Sequence, residues 1–375
     1  MREVVVIGAG LHRYGVFTGI SITDLGTEAI RNALKDANMK WEDVEAAYCG
    51  TFRPSLFAGH QVCYGMGPTG LGITNVENAS ASGSSAFREA FLAVASGTHD
   101  IVLALGVDKI EPNSQMSSQG EKKNKEEKTA QSTETLPVHF FAAMAQQHMQ
   151  KYGTTRDQLA QVSVKSHYNA SHNPFAHFQK AITIEEVHKA RMVADPFTVL
   201  HCCPWDEGGA AVIVCAKDVA KKYTDKMCPT IAASVLKSTL ADGDPFFNLT
   251  ERSARIAYEE AGVGPADLDL IELHDAFTIE EIIYSEALGL CSRGEGGQLV
   301  ENGTTALAGK HPINSSGGLI SMGHPIGPTG VGQAAEILWQ MRGQCGKRQI
   351  QKSVNLALTH MVGAGGVCVI HLFKK

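Results

Sequence analysis

The chain carries little charge of either sign and no broad basic tract. Charged residues are 19% of its 375 positions and the formal net charge is −6, which argues against a nucleic-acid partner. It lacks any apolar run of the roughly 18–20 residues that a membrane-spanning helix needs. Its first residues, "MREVVVIGAG", pass straight into a strand-like run with no signal-peptide pattern. The expected location is therefore the cytoplasm. There is no Cys-x-x-Cys spacing among the nine cysteines, which removes a disulfide framework and a bound metal from the expectations. Reduced, mostly buried thiols fit better, the vicinal Cys202-Cys203 included.

What is present is apolar. A share of 43% is enough for a large buried core, in one large unit or two ordinary domains. Short β-branched runs at 4–10, 101–108, 210–216, 269–277 and 365–373 have the length of buried strands. Helix-period segments at 24–38, 84–97, 250–261 and 328–342 lie between them, so the class is α/β. "TEAIRNALKDANMKWEDVEAAYCGTF" (27–52) aligns without gaps with "RSARIAYEEAGVGPADLDLIELHDAF" (251–276). Each reads as helix, turn and strand, so two duplicated halves are expected. The expected boundaries are 1–225 for the first half and 226–375 for the second, with an inserted loop domain at about 112–203. Inside the insert, "SSQGEKKNKEEKTAQSTET" is too hydrophilic for a core.

Four stretches carry chemistry. In "NVENASASGSSA" (75–86), Ser80 stands just before a helix, where free N–H groups and the macrodipole stabilise an anion. Serine is also a good N-cap, and local sequence leaves both readings open. "INSSGGLISMGHPIGPTGVGQ" (313–333) wraps glycines and prolines around His324, placing it like a general base or oxyanion donor. "LHDAF" (273–277) puts His274 at a strand end, where α/β folds gather site residues. "LTHMVGAGG" (358–366) reads as a strand ending in His360 followed by a glycine turn. Each histidine alone is a weak signal; three in such places form a constellation.

These residues resemble the thiolase superfamily, in the branch of the sterol-carrier-protein thiolase domain. "NSSGGLISMGHPIGPTG" is similar to that family's most specific motif, "HDAF" to its His-Asp-Cys-Phe, and "HMVGAGG" to its His-Asn-Leu-Gly-x-Gly-Gly. The resemblance runs nearly end to end. It implies two βαβαβαββ halves in a five-layered α-β-α-β-α core, and acyl transfer on a 3-oxoacyl-CoA through an acyl-enzyme. Coenzyme A would be a co-substrate, held near Gly317, Gly318, Gly363 and Gly365. The basic residues Lys122, Lys123, Lys125 and Lys128 are candidates for its phosphates, although a solvated charge run is the plainer reading. His324 would be the base and oxyanion contact, His274 an oxyanion donor and His360 an acid/base. The resemblance also implies a homodimer or larger assembly and a small zinc-ribbon/OB-fold partner subunit.

Two positions depart from the family. Its nucleophilic cysteine is Ser80 here, and its second, proton-shuttling cysteine is Ala276. A hydroxyl is a poor nucleophile unless a base takes its proton during attack. Three readings follow: a thiolase site weakened or inactivated by the serine, a retro-aldolase for β-hydroxyacyl-CoA that needs no acyl-enzyme, or a non-catalytic acyl-CoA-binding subunit. The complete set of histidines and glycine turns favours the first.

Overall fold

A computed structural model describes residues 2–52, 56–110, 136–241 and 244–375. The first half runs β1 (Val4–Leu11), α1 (Ile22–Ala37), β2 (Ala46–Gly50), α2 (Ala58–Met66), β3 (Gly72–Val76), α3 (Ser82–Ala95) and β4 (Ile101–Asp108). An excursion follows, with α4 (Leu136–Tyr152), α5 (Arg156–Ala170), α6 (Ile184–Lys189) and a short hairpin of β5 (Met192–Ala194) and β6 (Phe197–Thr198). The chain rejoins the sheet as β7 (Gly208–Ala216) and turns through α7 (Lys217–Ala220). The second half is β8 (Thr230–Ser238), α8 (Phe247–Ala261), β9 (Leu270–Glu272), α9 (Thr278–Ala287), α10 (Gly296–Glu301), α11 (Ile326–Met341), β10 (Leu356–Gly363) and β11 (Val367–Lys374). The lysine-rich run with Lys122, Lys123, Lys125 and Lys128 lies outside the described residues.

The strands line up as β3-β2-β4-β7-β1-β8-β11-β10-β9. From the middle outward the two sides repeat each other. β1, β7, β4 and β2 pair antiparallel, antiparallel and parallel, and so do β8, β11, β10 and β9. β3 lies parallel to β2, and a parallel bridge from Ile313 to Ile271 takes the matching place. The halves join at the pair Val5–Thr230. Local detail repeats as well. α1 ends on left-handed Asn38 and α8 on left-handed Gly262. Asp43 then accepts the Lys40 N–H at 2.9 Å, as Asp267 accepts the Gly264 N–H at 2.8 Å.

Side-chain alternation builds the layers. On β4, Ile101, Leu103, Leu105 and Val107 pack with Ile30, Leu34 and Val62 of α1 and α2. Val102 and Ala104 point the other way, to Phe87 of α3 and Val331 of α11. In the second half, Ala357 and Phe373 face this central layer, while Leu358, Ile370 and Leu372 face α8 and α9. Helices α3 and α11 thus lie between the two sheet halves, with a helical layer outside each, giving the five-layered α/β core.

The central helices cross at glycines. A Cβ on Gly83 would strike the Gly327 carbonyl, and one on Gly330 would strike the Ser84 backbone. Crossing at their first turns brings together the loops that lead into them, and those loops carry Ser80 and His324. Two strand expectations need correcting. The run at 269–277 is a strand only over Leu270–Glu272, because Asn314 Oδ1 takes the Leu273 N–H at 2.8 Å and pulls the chain off the ladder. β10 continues three residues past His360, to Gly363, so that histidine is not at a strand end.

Candidate active site

The peptide before Ser80 is turned by Ala79 in the left-handed region, at φ 48°. The N-cap of α3 is Ala81, which makes no side-chain cap. Ser82 ties the turn instead, donating to the Ala79 carbonyl at 2.6 Å and accepting the Asn78 N–H at 2.9 Å. The Ser80 hydroxyl is therefore not spent on capping. It lies 3.1 Å from Nε2 of His324.

The proton on that contact can be placed. Thr329 Oγ1 donates its single proton to the Pro325 carbonyl at 2.7 Å, and it lies 2.9 Å from His324 Nδ1. Only Nδ1–H can fill the second contact, so Nε2 is bare and accepts from Ser80. Burial, and then the neighbouring His274, hold the His324 imidazole well below its usual range, which keeps it neutral. The backbone is fixed from behind. The His324 N–H donates to Asp206 Oδ2 at 3.2 Å, and Asp206 Oδ1 lies 2.5 Å from His177 Nδ1. Gly323, at φ 118°, leaves no room for a Cβ against that carboxylate. Burial raises the Asp206 carboxyl, and the His177 hydrogen bond opposes the rise.

The His274 ring stands nearly perpendicular to that of His324, with centroids 5.6 Å apart. Its Nδ1 lies 3.0 Å from Glu280 Oε1, and among the described residues its buried Nε2 has no hydrogen-bond partner. Asp275, the next residue, turns away and accepts the Leu319 N–H at 2.6 Å.

His360 differs from its expected position. On β10, even-numbered Leu358 and Val362 face the α8 and α9 side, and His360 shares their face. Its Nε2 lies 3.0 Å from Thr250 Oγ1 on α8, and its ring meets Tyr284 edge-on at 4.5 Å. Burial, and then His274, push its pKa down to about 3. No contact joins it to Ser80 or His324 among the described residues. The four glycines read as ligand contacts all have protein atoms where a Cβ would sit: Ala170 against Gly317, Asp275 against Gly318, the Asn78 carbonyl against Gly363 and Phe246 against Gly365. Gly363 is the one that borders the Ser80 loop.

The arrangement is a hydroxyl paired with a tautomer-fixed imidazole, beside a carboxylate-backed imidazole with one free nitrogen. Residues 4–218 match the thiolase N-terminal domain, and residues 233–371 match the thiolase C-terminal domain-like model. The chain belongs to the thiolase family. Among thiolase relatives, an acetyl-CoA acetyltransferase of Methanothermobacter thermautotrophicus is 41% identical over 389 residues, covering 100% of both chains. Sterol carrier protein 2 of Oryctolagus cuniculus is 35% identical, over all of this chain and 72% of that one. The benzoylsuccinyl-CoA thiolase subunit BbsB of Thauera aromatica is also 35% identical, over 97% of this chain and 95% of its own. Two solved structures share the fold. The Ltp2-ChsH2(DUF35) aldolase superposes with a TM-score of 0.82 at 23% identity, over 98% of this chain and 97% of that one. Human mitochondrial 3-ketoacyl-CoA thiolase gives 0.74 at 18%, over 100% and 99%.

Residue reasoning from sequence missed Thr329, Glu280, Asp206 and His177. Thr329 lies five residues past His324 and Glu280 six past His274, close enough for a local scan to find them. His177 and Asp206 come from distant segments and leave no sequence signal. Among the described residues, no group of three or more His, Cys, Asp or Glu is arranged to hold a metal, and no helix is long and apolar enough to cross a membrane.

Proposed function

We propose that this thiolase-family chain cleaves or forms 3-oxoacyl-CoA through an acyl ester on Ser80. The observation behind the reading is the bare Nε2 of His324 facing the Ser80 hydroxyl at 3.1 Å. His324 takes the Ser80 proton as Oγ attacks the 3-keto carbon, as base-activated hydroxyl nucleophiles do. The bond between C2 and C3 breaks with its electron pair moving to C2, and C2 gains a proton to leave as acetyl-CoA. Coenzyme A then attacks the ester, and His324 returns its proton to Ser80. A neutral base is ready at neutral pH because burial holds His324 unprotonated.

The reading extends to assembly. β3 is the outer strand of the sheet, mostly exposed, and it leads directly to the Ser80 loop. An unpaired edge of this kind can pair with a second copy of the chain. A small zinc-ribbon/OB-fold subunit is part of the proposal, supported by the fold shared with the Ltp2-ChsH2(DUF35) aldolase. One observation favours a second reading: Ala276 leaves no thiol where the family has its proton shuttle. In retro-aldol cleavage, His324 would take the β-hydroxyl proton and Ser80 would not be acylated.

The test is product analysis with acetoacetyl-CoA, bulkier 3-oxoacyl-CoAs and β-hydroxyacyl-CoAs. CoA-dependent thiolysis that disappears in Ser80→Ala supports the acyl-enzyme. CoA-independent cleavage of the hydroxy substrates, surviving in Ser80→Ala, gives the site to the aldolase reading.

A further inference from the structure

The proposed cleavage needs two proton exchanges. One serves the Ser80 oxygen, and His324 supplies it. The other serves C2 of the departing acetyl-CoA and later the thiol of incoming CoA. The residue expected to serve it is absent, since position 276 is alanine. His360 sets its Nε2 on Thr250 at 3.0 Å and its ring against Tyr284, and its Nδ1 is buried and, among the described residues, unpartnered. Cys203 lies nearby, its N–H donating to the Ala276 carbonyl at 2.8 Å. Burial, and then Cys202, Glu280, Asp206 and Asp275, raise its thiol well above the usual range, which makes it a poor proton donor.

One group remains. We propose that His274 is the second acid/base, with Glu280 as the positioning residue that holds its Nδ1 and aims the ring. Resting on the acyl-enzyme reading, this assigns His274 a larger part than the oxyanion contact implied by family resemblance.

Glu280 is almost wholly buried, on the first turn of α9. Its Oε2 accepts the Phe277 N–H at 2.9 Å. Its Oε1 accepts the Tyr284 hydroxyl at 3.2 Å and faces His274 Nδ1 at 3.0 Å. With the Phe277 N–H and the Tyr284 hydroxyl donating to it, the acid serves as an acceptor, as a carboxylate does at every site. A buried carboxylate against Nδ1 fixes that nitrogen as N–H and stabilises an imidazolium, as the acid behind a catalytic histidine does in hydrolytic triads. His324 has only the Thr329 hydroxyl behind its ring. On this proposal the two imidazoles start oppositely, with His324 bare at Nε2 and His274 holding there the proton it delivers. Among the described residues His274 Nε2, buried beside the perpendicular His324 ring, has no hydrogen-bond partner.

The ledger closes. As C2–C3 breaks and its electron pair moves to C2, His274 delivers the Nε2 proton to C2 and becomes neutral. It then takes the proton of the CoA thiol as sulfur attacks the Ser80 ester. The Ser80 oxygen leaves with the proton held by His324. Both imidazoles end as they began, and no outside acid is used.

The test separates carbon–carbon cleavage from simple acylation. p-Nitrophenyl acetate acylates Ser80 with a leaving group that needs no proton, whereas acetoacetyl-CoA cleavage needs one on carbon. Glu280→Gln is expected to lower acetoacetyl-CoA cleavage about 100-fold further than Ser80 acylation, within the usual reach of acid–base catalysis. His274→Gln keeps an N–H donor but cannot transfer its proton, and the same split is expected. It also guards against Glu280→Gln failing to fold. Equal losses in both assays, or retained cleavage in His274→Gln, would overturn the proposal and leave His274 an oxyanion donor. A lack of any Ser80 adduct in the unaltered protein would remove the acyl-enzyme reading, and this proposal with it.

Discussion

Removing the Thr329 hydroxyl tests the geometry of the dyad without touching either partner. In Thr329→Val the shape is kept, but His324 Nδ1–H faces a methyl group. The ring then gains by moving its proton to Nε2 and donating to Ser80, the wrong direction for a base. Returning to the useful tautomer strands a buried N–H, at a cost of about 1–3 kcal/mol. With a factor of ten in rate per 1.36 kcal/mol, Ser80 acylation should slow about 5- to 160-fold. Stability should fall by only about 1 kcal/mol, the net worth of a typical hydrogen bond, because the Pro325 carbonyl keeps the Thr329 backbone N–H at 3.0 Å. Rapid-mixing acylation with p-nitrophenyl acetate and thermal denaturation measure the two effects. Thr329→Ser restores a hydroxyl and should recover most of the rate. An unimpaired valine variant, or a serine variant as slow as valine, would refute the tautomer argument.

Other outcomes follow from the same contacts. Ser80→Cys should raise thiolysis of 3-oxoacyl-CoA by at least about tenfold, since a thiol ionises near pH 8.5 and lower at a helix N-terminus; steady-state assay with acetoacetyl-CoA checks it. Acylation of Ser80 should stay level from pH 8 to pH 6, because His324 is held well below its ordinary range; an unperturbed imidazole would lose about three-quarters of its base form by pH 6. For His360, the folded value near 3 lies below the unfolded one, so its contribution is complete above pH 6.5 and is lost as pH falls towards 3. Denaturant titrations should show the unaltered protein losing about 1.4 kcal/mol per pH unit more than His360→Gln across that window. Gly83→Ala drives a methyl into the Gly327 carbonyl and should cost about 1–3 kcal/mol, together with most of the acylation rate, as the helix crossing that seats the dyad opens.

Much of this was legible in the residues. The α/β layering shows in buried runs and helical periods, because alternation and the 3.6-residue repeat are properties of local sequence. The duplication shows because both halves kept the same turn chemistry, down to Asp43 and Asp267. Ser80 and His324 could be picked out because each precedes a glycine-rich helix start. Their 3.1 Å contact could not, since it depends on glycine-to-glycine crossing between helices far apart in the chain. The glycine turn that follows closely makes His360 resemble a strand-end residue; the facing parity of β10 instead buries it against α8 and α9. Glu280, six residues past His274, lies within reach of a local scan, but a Glu in a first helical turn ordinarily reads as helix-dipole compensation.

The most direct measurement is intact and peptide mass after millisecond quenching of the protein with a 3-oxoacyl-CoA in the absence of free CoA. The account predicts a mass gain equal to one acyl group, confined to the peptide holding Ser80 and missing in Ser80→Ala. Turnover of the substrate with no such gain at any quench time would contradict it.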